Sequence, residues 1–177
     1  YLDYTGHDYD NDFIGDTPYS DRGVTDNCPL MIWGSWPGSD WDVRIDTYVL
    51  AINHTLNGDI TIQDSVSFYL YNAVIWFNCT ADKEYGLYFD SGSSLTYSDG
   101  ALRAYNVTHR FEVVTHESSS ITMHGTLLDG CYSIRIVTNS THLDALTITN
   151  TYEGISLDGT NLYGIDLGFI DITHAEY

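Results

Sequence analysis

From residue 46 onward, short runs of alternating apolar and polar residues recur between clusters of Gly, Asn, Asp and Ser. Alternation with a period of two is the strand period, one face turned to a core and the other outward. Ser94-Leu95-Thr96-Tyr97, Ser120-Ile121-Thr122-Met123, Ala145-Leu146-Thr147-Ile148 and Phe169-Ile170-Asp171-Ile172 follow at steps of 26, 25 and 24 residues. A second series interleaves with them: Gly86-Leu87-Tyr88-Phe89, Phe111-Glu112-Val113, Ser133-Ile134-Arg135-Ile136 and Gly154-Ile155-Ser156-Leu157, at steps of 24, 23 and 21. Two series in phase predict an all-β solenoid with one turn per repeat and neighbouring turns about 4.8 Å apart. Asn and Asp after the strands suit left-handed corners between faces. Ile60-Thr61-Ile62, Val66 to Leu70 and Val74-Ile75-Trp76-Phe77 read as a first turn with a thicker aromatic edge. An antiparallel sandwich accommodates the short strands but gives no reason for the regular two-series spacing.

The first 45 residues break this pattern. Residues 1–31 are rich in Gly and Asp with no periodicity, and residues 32–45 form a Trp/Gly/Pro connector to the solenoid of residues 46–177. Trp33, Trp36 and Trp41 are costly to leave wet, so they are expected to pack on a neighbouring domain or subunit; a carbohydrate-stacking platform is the alternative. The densest chemical signal lies just upstream. Asp8, Asp10, Asp12 and Asp16, with Gly15 for a tight turn, place four acids in nine residues, and the carbonyl of Ile14 adds a fifth oxygen. A Ca²⁺ ion wants about six to eight oxygens, and such a loop supplies them, with Asp3 or Asp21 as further ligands. An EF-hand would end on Glu at the twelfth position, where this chain has Tyr19, so the expected site is a free-standing loop.

Composition narrows the partners. Lys+Arg is 6 against Asp+Glu 25, a net charge of −19, which repels a phosphate backbone and disfavours nucleic acid or anionic lipid. Fifteen Tyr with abundant Thr, Ile, Leu and Val is a β composition, and no apolar run approaches a membrane span. The chain opens on Tyr1-Leu2-Asp3-Tyr4 without a leader, so a secreted origin requires one removed or lying outside these residues. Four N-x-[ST] sequons, at Asn53, Asn78, Asn106 and Asn139, favour an extracellular protein carrying N-glycans. Cys28, Cys79 and Cys131 allow at most one internal bridge; an intermolecular disulfide and three unpaired buried thiols are the two alternatives.

One family likeness follows. Asp3-Tyr4-Thr5-Gly6-His7-Asp8-Tyr9-Asp10-Asn11-Asp12-Phe13-Ile14-Gly15-Asp16-Thr17-Pro18-Tyr19, then Asp26-Asn27-Cys28-Pro29-Leu30-Met31, resembles the segment that closes NosD-type right-handed parallel β-helix domains, with Cys28 where an aromatic is common. Residues 46–177 are similar, more loosely, to the carbohydrate-binding and sugar-hydrolase repeats of that group, which occur in tandem in large archaeal surface proteins. The resemblance implies the end of one β-helix, a connector and the opening turns of the next, within a longer protein that continues or stacks on a neighbour.

Catalysis finds little support. The chain has no Ser/His/Asp elbow, HExxH or phosphate-cradling loop, and neither Arg103, Arg110 and Arg135 nor Asp82, Glu84, Asp90 and Asp99 sit in a telling motif. His109, His116 and His124 are not at ligand spacing on a strand and are expected to face outward or to be hydrogen-bonded. The expected function is structural: a cell-surface layer, sheath or fibre protein, self-assembling, with Ca²⁺ stiffening the N-terminal junction. The alternative is a carbohydrate-binding or polysaccharide-cleaving β-helix.

Overall fold

The computed structural model describes residues 38–158 and 165–173, together with the backbone of Tyr19–Asp21 and Val24–Asp26. Those two short strands pair antiparallel, Tyr19 opposite Asp26, in a unit that runs from Tyr1 to Trp36. The proposed calcium ligands Asp8, Asp10, Asp12, Ile14 and Asp16, and also Cys28, Trp33 and Trp36, lie outside the described residues.

The second unit, Pro37 to Tyr177, is a parallel β-solenoid of about five turns, and every described element is a strand. Three sheets form its walls, each six strands deep. Sheet 1 comprises Trp41–Val43, Ile60–Ile62, Gly86–Phe89, Phe111–Val114, Cys131–Ile136 and Gly154–Leu157. Sheet 2 comprises Thr47–Leu50, Ser67–Tyr71, Ser94–Ser98, Ser120–His124, Thr141–Asp144 and Ile165–Leu167. Sheet 3 comprises Asn53–Leu56, Val74–Phe77, Ala101–Ala104, Leu127–Asp129, Leu146–Thr149 and Ile170–Thr173. The chain visits the sheets in that order once per coil.

Period-two alternation builds the core. Inward side chains stack from coil to coil: Phe68, Leu95 and Ile121 in one row, Leu70, Tyr97, Met123 and Leu143 in the next, Ile75, Leu102, Leu128 and Ile148 on the third wall, all essentially without solvent exposure. Burying each such side chain is worth about 1.5–3 kcal/mol. Phe77 stacks on Phe111 at 4.8 Å, and Trp41 is buried edge-on against Phe68 at 5.0 Å. Trp41 thus belongs to the first coil of the solenoid itself.

The second of the two repeat series holds as one sheet, with its register refined: Leu87 faces Val113 rather than Phe111, and a bulge at Phe111/Val113 shifts the next pairing so that Phe111 faces Cys131 and Val113 faces Ile134. The first series needs correcting. Leu95 and Ile121 are neighbours in sheet 2, but Leu146 and Ile170 belong to sheet 3. The fourth coil is short, so sheet 2 continues through Thr141 and Leu143, and Leu146 is the strand after the next corner. A nearly even spacing had joined strands of two different walls.

The corner between sheets 2 and 3 is the most regular part of the coil. Ala51, Asn72, Asp99, Gly125 and Ala145 occupy it in successive coils, all with positive φ between 48° and 58°. The N–H groups of Ala51, Asn72, Asp99 and Gly125 each donate to the carbonyl of the residue beneath, Tyr71, Ser98, His124 and Asp144, at 2.9–3.2 Å. Asn and Asp were the expected occupants. Both alanines adopt a conformation that costs an L-residue roughly 1–2 kcal/mol; at Ala51 the coil-to-coil hydrogen bond to Tyr71 fixes the backbone there.

Candidate functional site

The coils differ in length mainly at the corner between sheets 3 and 1. That corner is residues 57–59 in the first coil, 78–85 in the second, 105–110 in the third, Gly130 alone in the fourth and 150–153 in the fifth. The opposite corner, between sheets 2 and 3, stays at one or two residues throughout. Insertions confined to one margin of a repeat array are where such proteins place their recognition loops.

The two long loops are tied down rather than loose. In loop 78–85 the Glu84 carboxylate accepts the backbone N–H groups of Thr80 and of Ala81, the latter at 3.2 Å, and these donors hold its pKa below the usual range. Lys83, at a φ of 60°, donates its N–H to the carbonyl of Arg110 at 2.7 Å. Asp82 accepts the Arg110 N–H at 2.8 Å and lies 3.8 Å from its guanidinium, whose Nε donates to the Asn150 carbonyl at 3.1 Å. The Lys83 ammonium sits 3.9 Å above the Tyr132 ring, which stacks on Tyr152 at 4.8 Å. Tyr105 meets Trp76 edge-on at 6.5 Å, and the Arg103 guanidinium lies 5.2 Å from the Trp76 ring. An aromatic and cationic margin runs along three coils.

A row of acids borders it. Asp40, Asp59, Gly86 and Glu112 follow one another from coil to coil beside sheet 1. Burial raises the pKa of Asp59; the Gly86 N–H on its Oδ1 at 2.9 Å lowers it again, and the charges of Asp40 and Glu112 raise it further. Glu112 accepts the Tyr88 hydroxyl at 3.0 Å, and Tyr88 is held above the ordinary phenol range by burial and then by that carboxylate. A Cβ on Gly86 would stand 2.6 Å from the Glu112 carbonyl, so only glycine fits between the two acids. Cys79, beneath the loop, is buried and its pKa is pushed up to about 11, so it stays a thiol at neutral pH and is no ready nucleophile. Cys131 is likewise a buried free thiol, raised further by complete burial.

The outer face of sheet 2 is the second surface of note. Tyr48 and Tyr69 stack at 4.2 Å with rings 4° from parallel, and Tyr48 and Leu50 are each 66 % exposed. Ser67 and Ser94 bond each other at 3.0 Å, and Thr96 and Thr122 continue the row of Tyr48 and Tyr69. Towards the last coils His124 pairs with Asp144 at 3.2 Å and His142 with Asp166 at 2.9 Å.

The other sequence candidates fall as follows. Arg103 pairs with Asp129, Arg110 with Asp82 and Arg135 with Asp158, so none of the three points a lone charge at a reaction centre. His116 bonds Ser118 and His124 bonds Asp144, as expected for hydrogen-bonded histidines. Among the described residues no group of three or more His, Cys, Asp or Glu can hold a metal ion, and no helix is long and apolar enough to cross a membrane. Sequence reasoning passed over the long corner. The signal was present: Phe77 to Gly86 and Ala104 to Phe111 are the widest gaps between consecutive strands of the solenoid from Trp41 to Leu157. The contacts of Lys83 with Tyr132 and of Arg110 with Asn150 had no such signal, because they join residues of different coils.

No family model, curated protein or solved structure matches the chain. The NosD-type likeness therefore rests on the residues of the N-terminal tail and the repeat pattern, and what the structure has in common with it is a parallel β-solenoid.

Proposed function

We propose that this chain is a structural module of an extracellular surface protein, of NosD-type β-helix kind and typical of archaeal layers or sheaths, that assembles with further copies of itself. One observation carries the reading. Leu157, Leu167 and Ile172 continue the inward rows of Ile136, Leu143 and Ile148, yet are 52 %, 43 % and 45 % exposed, and Phe169 beside them is 71 % exposed. Core-type side chains and strand edges left open in this way are what another coil covers. A further coil of a longer chain or the end of a second copy supplies that cover, and on this reading copies stack end on end. The paired state of the arginines also fits a wall better than an enzyme: with each described arginine held by an acid, the remaining acids leave a strongly anionic surface suited to bridging cations. On this reading Asp8, Asp10, Asp12, the Ile14 carbonyl and Asp16 bind Ca²⁺ and stiffen the N-terminal unit; the carboxylate spacing supports it.

Light scattering on the purified chain at rising concentration tests the assembly. Association is expected, and Leu167→Asp with Phe169→Asp is expected to abolish it while the β signature in circular dichroism persists. A monomer at every concentration, or assembly indifferent to the double variant, overturns the reading. For the ion, Asp10→Ala with Asp12→Ala is expected to lower the thermal midpoint in calcium and not in chelator; equal loss in both removes the metal site.

The carbohydrate reading has its own support in the flat aromatic and hydroxylated face of sheet 2, where the stacked Tyr48 and Tyr69 offer a sugar-sized platform. Retention of a polysaccharide on a glycan array, lost with Tyr48→Ala and Tyr69→Ala, would favour it over self-assembly.

A further inference from the structure

We propose that Asn106 is the sequon of this chain that carries an N-linked glycan, and that Asn78 is closed to one; the extracellular setting this requires in nature rests on the reading above. The four sequons are equal in sequence and unequal in the fold. Residues 105–108 are four consecutive exposed positions at the tip of the third-coil loop, with Tyr105 67 % and Val107 39 % exposed. There the Asn106 Oδ1 accepts both the Thr108 N–H at 3.1 Å and the Thr108 hydroxyl at 2.9 Å, and the His109 N–H closes the turn on the Asn106 carbonyl at 2.9 Å. The whole sequon is thus folded on itself, with its amide oxygen occupied by its own threonine, and the Nδ2 makes no hydrogen bond to a described residue. A hydroxyl donated to the amide oxygen draws charge to that oxygen and turns Nδ2 away from the backbone, as in other side-chain turns.

The other three differ by identifiable contacts. Asn78 is half-buried, its Nδ2 donates to Asn57 Oδ1 at 2.8 Å in a coil-to-coil amide ladder, and its sequon turns inward at once through buried Cys79. A saccharide on that nitrogen would break the ladder at the root of the loop. Asn53 lies within a sheet 3 strand, where its Oδ1 accepts the Trp76 indole N–H at 2.9 Å rather than its own threonine. Asn139 is exposed, but its sequon threonine, Thr141, is buried in sheet 2 with its hydroxyl on the Thr138 carbonyl at 3.4 Å. Only Asn106 combines a free Nδ2, an exposed tripeptide and the threonine-to-asparagine hydrogen bond.

The chemistry needs an activated donor, a saccharide linked to a lipid diphosphate, and a glycosyltransferase. The Asn106 Nδ2 attacks the anomeric carbon, an N–C bond forms, the anomeric C–O bond breaks, the lipid diphosphate leaves with the bonding pair, and one Nδ2 proton passes to a base of the transferase. The attached sugar would lie over Tyr105 and Val107, giving these exposed apolar side chains a cover.

The test sends the full chain, behind a cleavable leader, through a eukaryotic secretory pathway, which supplies the transferase whatever the natural location. Site occupancy is then read by mass spectrometry on secreted and retained protein alike. The expected result is a glycan at Asn106, at several-fold higher occupancy than at Asn53 or Asn139, none at Asn78, and loss of the main mass increment in Asn106→Gln. Glycan at Asn78, dominance of Asn53 or Asn139, or four empty sequons would each overturn the proposal. Glycan analysis of the protein from its natural source, by contrast, speaks to the extracellular reading and not to which asparagine the fold exposes.

Discussion

Tyr97 is where the geometry of the coil converts most directly into a measurable number. Its ring lies wholly inside sheet 2, and its hydroxyl donates to the Ala73 carbonyl at 2.7 Å. That carbonyl also accepts the Ala101 N–H at 2.8 Å, one rung of the corner ladder. Tyr97→Phe therefore removes a hydrogen bond without stranding its acceptor, and the expected cost is about 0.5–1.5 kcal/mol. Tyr97→Ala also empties the space of the ring, and large aromatic-to-alanine changes in cores cost about 3–5 kcal/mol. Thr96, on the same strand but facing outward, serves as the control; Thr96→Ala should stay within about 0.5 kcal/mol. Urea unfolding followed by far-ultraviolet circular dichroism reads all three, with the slope of the transition unchanged. Burial raises the Tyr97 pKa, so its neutral form is the one the fold favours. That contribution is complete below the free phenol range of about 10 and fades as pH climbs beyond it, so Tyr97→Phe should also show a shallower alkaline limb. Equal costs for Thr96→Ala and Tyr97→Ala would mean that the alternation of inward and outward residues has been misassigned, and the core with it.

Three further outcomes follow from particular contacts. Asp59→Asn keeps an acceptor for the Gly86 N–H and removes a carboxylate whose pKa the fold raises; it should increase the thermal midpoint at neutral pH and leave it unchanged below the carboxylate range, since the penalty exists only when Asp59 is ionised. Ala145→Gly, at a φ of 49°, should be neutral to stabilising by about 0.5–1 kcal/mol, whereas Gly130→Ala, at a φ of 76° with its new Cβ 2.6 Å from that of Ala104, should destabilise by about 1–3 kcal/mol; denaturation midpoints decide both. Cys79 and Cys131 should react with a thiol reagent only after unfolding, and rapid labelling of either in the native protein would contradict their burial.

The solenoid was legible because its walls obey a simple rule. Leu87, Val113, Ile134 and Ile155 follow one another once per coil at steps of 26, 21 and 21 residues, and the alternation around each announces which face is buried. What misled was the assumption of constant coil length. Leu146 follows Ile121 at nearly the same interval as Ile121 follows Leu95, yet the fourth coil had shortened and carried Leu146 to another wall. The third sheet was missed for the same reason: its strands, such as Ala101–Ala104 and Leu127–Asp129, begin only two residues after those of sheet 2 and read as their continuation. Corner chemistry was half visible. Asn72 and Asp99 suit a left-handed backbone, but Ala51 and Ala145 carry no local signal for it, and Ala51 is held there by its coil-to-coil bond to Tyr71. The sequons were visible as motifs, while their ranking depends on Asn57 and Trp76, which reach Asn78 and Asn53 only once the coils are stacked, and on the corner that buries Thr141 against Thr138.

A spine of near-constant corners opposite a margin of changeable loops separates two kinds of inheritance. Pitch and handover from one storey to the next are governed by the spine, so material can be added or removed at the margin without disturbing the masonry above or below. Evolution can therefore redecorate one balcony of this tower, around residues 78–85 and 105–110, while the staircase stays the same.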